Sequence, residues 1–157
     1  MGIRNLHCRF GNTAFSASFS EMEQSEFLHF DVTSKIIGAS YRVHGKLGAG
    51  FPHDFYENAL SHELAQKDSR VSRRHPVVLS YEDAVIGEWC ADLLVDETVI
   101  IMVAAEKSLN GALETTLLNV LKASEFEVGV VVNFGEKLEF RRKVHSNGVP
   151  VRRMKSR

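Results

Sequence analysis

Two segments of this chain carry almost no polar residue: Val99 to Ala105, and the Val-rich run within Glu127 to Phe134. A strand needs a polar face only where water touches it, so near-continuous Val, Ile and Ala mark strands covered on both faces. Between the two runs, Leu109 to Ala123 places Leu113, Leu117, Val120 and Leu121 at helical spacing, with Asn110 suited to the N-cap. A strand–helix–strand order predicts a parallel pair joined by a crossover.

The flanking segments extend this unit. Pro76 to Tyr81 reads as a strand, Glu82-Asp83-Ala84 as a turn, Val85 to Val95 as a second strand and Asp96-Glu97-Thr98 as another turn. Tight turns predict an antiparallel meander ending in the Val99 strand. Upstream, Ile36, Ile37, Tyr41, His44 and Leu47 set a helix from about Asp31 to Leu47, capped by Asp31, Thr33 or Ser34 and stopped by Gly48-Ala49-Gly50. A second helix runs from about His53 to Lys67, with Phe55, Ala59, Leu60 and Leu64 as its buried stripe. Gly135-Glu136-Lys137 turns into a last strand, Leu138 to Val144. The expected fold is α/β: helix, three-strand meander, helix, strand, with a mixed central sheet and helices packed against it. The expected domain spans residues 29–144, between an arm (1–28) and a basic tail (145–157).

At 157 residues the chain has the length of one domain. No run of ~18 apolar residues is present, so no membrane span is expected. Cys8 and Cys90 give neither a disulfide framework nor zinc spacing, which fits a reducing compartment such as the cytoplasm. The net charge of −1 hides an asymmetry. Arg141, Arg142, Lys143, Arg152, Arg153, Lys155 and Arg157 fall in a stretch without acids, leaving 12 bases against 20 acids elsewhere. A basic segment on an acidic body suits a polyanion such as nucleic acid, and it equally suits a solvated terminus or one folded onto its own body. The first twenty residues hold Arg4, Arg9, Ser and Phe without an acid, loosely like an organelle transit peptide; they read as an arm or an added strand.

Several short words occur in one order: Ile36-Ile37-Gly38-Ala39, Val43-His44, Leu47-Gly48-Ala49-Gly50, Tyr56-Glu57-Asn58-Ala59-Leu60, Ala91-Asp92-Leu93-Leu94-Val95, Val99-Ile100-Ile101, Leu117-Leu118-Asn119, Leu121-Lys122-Ala123, and Val128-Gly129 through Asn133-Phe134-Gly135. Together they resemble the GxxExxY family, a branch of the PD-(D/E)XK nuclease superfamily, over roughly residues 31–143. The resemblance implies a restriction-endonuclease-like core and Mg²⁺-dependent cleavage. It implies an acid at the second strand, present as Asp92. It implies a Glu and a Lys two residues apart on the third strand, where this chain has Met102 and Ala104. The motif Glu between Gly50 and Tyr56 is His53, and the His and Gln expected early in the following helix are Leu113 and Thr116, with Glu114 between them.

Mg²⁺ wants oxygen ligands, and phosphate chemistry wants a cation. A Met thioether is a soft ligand and Ala offers nothing, so Asp92 alone makes a poor Mg²⁺ site. The leading expectation is therefore a non-catalytic domain that binds nucleic acid or protein, or assembles with itself, and needs no metal or cofactor. The alternative is a Mg²⁺-dependent nuclease rebuilt from Asp92, Glu106, His53 and Glu114. Glu106 shares strand parity with Met102 and Ala104 but also reads as a solvated strand-end residue. Glu88 lies too far along the strand from Asp92 to share a metal, His53 reads equally as a surface residue, His44 and Trp89 read as packed residues, and Cys90 as a buried small hydrophobe.

Overall fold

A computed structural model describes residues 28–146. Its elements are α1 (Phe30–Leu47), α2 (His53–Ala65), β1 (Val71–Tyr81), β2 (Ala84–Val95), β3 (Val99–Ala104), α3 (Gly111–Ala123), β4 (Val128–Phe134) and β5 (Leu138–Val144). The five strands form one sheet in sequence order. β3 and β4 pair in parallel; the other neighbours are antiparallel. The fold is the mixed α/β core expected from the two apolar runs.

Every residue of β3 and β4 is buried, and the sheet's period-two pleat explains how. Val128, Val130, Val132 and Phe134 face one cluster with Ile36, Ala39 and Val43 of α1 and Tyr56, Leu60 and Leu64 of α2. Val131 faces a second cluster with Leu117, Val120 and Leu121 of α3. Gly129 lies on the α3 side: a Cβ there would stand 2.5 Å from Leu117 Cδ1, so any larger residue would have to push the buried Leu117 side chain aside.

The β1–β2 ribbon changes face part-way along. Leu93 joins the α1/α2 cluster, yet Ala91, of the same parity, joins the α3 cluster. Its partner strand does likewise: Arg73 reaches Glu57 of α2, while the His75 ring meets Phe126 on the other side. The ribbon therefore twists at Arg74 and Asp92, the one pair missing from an otherwise unbroken register between Val71↔Val95 and Leu79↔Gly87. Arg74 takes a positive φ of 48°, which supplies the turn. Beyond it, Val77, Leu79 and Trp89 pack against α3, whereas Val78, Glu88 and Cys90 stay exposed.

Some expectations need correction. β1 begins at Val71, not Pro76, because the polar Ser72–His75 stretch is held by its ladder to β2. In α2 the buried aromatic is Tyr56, and Phe55 is exposed; α2 ends at Ala65 and α3 begins at Gly111. Cys90 is exposed rather than buried, since the twist turns it to the outer face. Asn110 caps α3 as expected, accepting from Ala112 N at 3.1 Å. No side chain caps α1: its N-cap is His29, at a left-handed φ of 54°, and the Thr33 hydroxyl donates back to His29 O.

Burial lowers the pKa of His29; nearby Arg142 adds to this, and Asp31 and Glu127 oppose it. A lowered histidine pKa means that the unfolded chain takes up more protons, so stability falls as pH drops below the ordinary value of 6.5. His29→Asn removes this titration and supplies a side chain that tolerates left-handed backbone and caps helices. Melts at pH 7.5 and 5.5 are expected to show a smaller acid-side loss in the variant. An identical loss in both proteins would assign the slope to other groups.

Candidate functional site

The site implied by the sequence lies where β2 leaves β3. Pairing between them covers only Leu93↔Ile101, Leu94↔Ile100 and Val95↔Val99. Asp92 is the next residue, at the twist. Its Oδ2 accepts a hydrogen bond from Val103 N at 2.7 Å. The carboxylate thus takes a backbone donor that continued pairing to β2 would have satisfied. Asp92 is half-buried and has a hydrogen-bond partner.

Met102 joins the α3 cluster, in which Ile100, Leu117 and Val131 are buried and Leu109 and Leu113 pack at the margin. Ala104 is also buried. Two of the positions that the resemblance assigns to polar groups, 102 and 113, thus belong to one apolar contact region. Thr116 is exposed and its hydroxyl donates to Ala112 O, within its own helix. Glu114 is drawn to β5: Lys143 Nζ stands 2.7 Å from its Oε2 and Arg141 Nε 3.1 Å from its Oε1. The hydrogen bond from Lys143 is the main reason that the Glu114 carboxyl titrates below its ordinary range.

His53 is exposed in the first turn of α2, and Glu106 is exposed beyond the end of β3. The Glu106 backbone, not its side chain, is held in place. Asn133 accepts from Glu106 N at 2.8 Å and donates to Glu106 O at 2.9 Å and to Glu139 Oε1 at 3.3 Å. Glu139 Oε1 also accepts from Leu109 N, fastening the start of the α3 segment. Gly135 completes this clasp, since a Cβ there would meet Glu106 O at 2.4 Å. The sequence offered Asn133 and Gly135 only as parts of a family word; an Asn inside an apolar strand was the signal that a buried polar link existed.

Arg141 is engaged with Glu114 and Glu139. Arg142 Nη2 donates to Leu28 O at 2.6 Å. Arg152, Arg153, Lys155 and Arg157 lie outside the described residues.

Among the described residues no three His, Cys, Asp or Glu side chains are grouped so as to hold a metal ion. The donor set does not fit Mg²⁺: the partner shown for the Asp92 carboxylate is a backbone N–H, and positions 102 and 104 of β3 carry a thioether and a methyl group, not the carboxylate oxygens the ion needs.

A family model for the PD-(D/E)XK nuclease superfamily matches residues 30–143, from the first residue of α1 almost to the end of β5. The chain belongs to this superfamily. No curated protein and no solved structure matches it. Several of the short sequence words serve the scaffold of this PD-(D/E)XK domain. Tyr56 stacks on Phe134, with ring centroids 4.6 Å apart and planes within 3° of parallel. The Tyr56 hydroxyl donates to Gly48 O and accepts from Phe51 N, fixing the loop between the two helices. His44, half-buried, brings Nε2 to 2.8 Å from Gly135 O and so ties α1 to the β4–β5 turn. No helix among the described residues is long and apolar enough to cross a membrane.

Proposed function

We propose that this PD-(D/E)XK domain is a non-catalytic binding module in which the cleavage site of the fold has become part of the core. The observation that carries the reading is the packing of Met102 into the α3 cluster beside Leu113, while Asp92 spends an oxygen on Val103 N. A Glu at position 102 would stand in apolar surroundings, where an unpaired charge is costly. Without the second acid and the Lys, neither metal capture nor stabilisation of a charged phosphate has side chains to perform it.

The partner class proposed first is nucleic acid, met by the basic C-terminal segment through phosphate contacts. Because Arg141 and Lys143 are paired with Glu114, the contribution is assigned to Arg152, Arg153, Lys155 and Arg157. Deleting residues 147–157 is expected to weaken binding and flatten its salt dependence. A protein partner is the second reading, favoured by Val78, Val85 and Ile86, which are exposed on the outer part of the β1–β2 hairpin.

The catalytic question has its own test. The purified chain is expected to leave single- and double-stranded DNA and RNA intact with Mg²⁺ or Mn²⁺. Cleavage that disappears in Asp92→Ala would establish a rebuilt nuclease and end the non-catalytic reading.

A further inference from the structure

A groove of about 520 Å³ separates the β1–β2 hairpin from the end of α3. Val78, Ser80 and Glu82 wall it on the hairpin side, and Lys122, Ser124 and Glu125 on the helix side. The groove combines an apolar wall at Val78 with two carboxylates. It also adjoins the C-terminal end of α3, which carries the negative end of the helix dipole. Lys122 is the one cation in the lining, against two acids, Glu82 and Glu125.

The chain leaves the described structure beside this groove. His145 N donates to Glu127 O at 2.8 Å, two residues after Glu125. The residues that follow Ser146 include Val149, Val151 and Met154 interleaved with Arg152, Arg153, Lys155 and Arg157, and no acid. At roughly 3.3 Å per extended residue, the stretch from Ser146 to Arg153 spans about 23 Å, enough to cross the groove. Length, point of departure and sign of charge therefore agree on one occupant.

We infer that residues 147–157 dock in the groove between the β1–β2 hairpin and the end of α3, setting their cations against Glu82 and Glu125 and their apolar residues against Val78. The docked segment is withdrawn from nucleic acid, so occupation of the groove and binding of a polyanion exclude each other. This second step rests on the proposed function; the docking itself does not.

Limited trypsin digestion of the full chain, without nucleic acid, tests the docking. Cleavage after Arg152 and Arg153, followed by intact mass, is expected to be about three- to tenfold faster in the double variant Glu82→Lys, Glu125→Lys than in the unmodified chain, the scale of two or three screened ion pairs. High salt should accelerate the unmodified chain and leave the variant unchanged. Both positions are exposed, so the variant is expected to keep its fold, which a melt verifies. In parallel, a carbodiimide should join Lys155 to Glu82 or Glu125 within the monomer. Equal digestion rates, or coupling of Lys155 only between chains or only to carboxylates outside the groove, would overturn the inference. The test of metal-dependent cleavage is unaffected by either result.

Discussion

Asn133→Ala is expected to lower the unfolding free energy by about 3 kcal/mol, the scale of losing three hydrogen bonds made by one fully buried side chain. Asn133 is fully buried in β4 and bonds both backbone groups of Glu106 as well as the Glu139 carboxylate. Alanine removes all three bonds, and with them the tie between the fully buried core of β4 and the Glu106 backbone. Asn133→Asp should be no better, because it keeps an acceptor for Glu106 N but turns a negative oxygen toward Glu106 O and Glu139. Urea unfolding measures both, and an unchanged slope with a lower midpoint would show that stability alone has moved. A loss below about 1 kcal/mol for alanine would mean that the clasp contributes little beyond an ordinary surface contact.

The second large effect is at Asp92. Asp92→Ala is expected to cost about 2 kcal/mol, the value of a hydrogen bond from a backbone donor to a charged acceptor. Asp92→Asn should cost less than about 1 kcal/mol, because the amide oxygen still accepts from Val103 N. The contrast separates two roles. A side chain that holds a strand junction tolerates the neutral isostere, whereas a metal ligand does not. Equal losses for the two variants would argue that the charge itself, and not the acceptor, is what the site uses.

The sheet was legible in the sequence because its signals are local. Runs buried on both faces, turn residues at regular spacing and an N-cap before a helical period each act within a few residues. What was missed depends on the third dimension. Cys90 and Asp92 share parity and so read as neighbours on one face, yet the ribbon twists at Asp92 and that simple reading fails. Phe55 reads as core by hydrophobicity, but Tyr56 fills that place because its hydroxyl meets Gly48 O and Phe51 N while its ring stacks on Phe134. The basic residues of β5 read as a polyanion surface, and only the fold brings Glu114 of α3 to Arg141 and Lys143. At the candidate site, the sequence located Asp92, Met102 and Ala104 within one resemblance, and the structure adds that Met102 packs as core and that Asp92 bonds to the β3 backbone.

The Asp92 carboxylate is expected to serve the junction of β2 and β3 and to hold no metal. Thermal melts of the unmodified chain and of Asp92→Asn, each with and without millimolar Mg²⁺ or Mn²⁺, test it most directly, because a ligand that binds only the folded state must raise the midpoint. The same midpoint is expected with and without either ion in both proteins. A metal-dependent rise in the unmodified chain that vanishes in Asp92→Asn would contradict it.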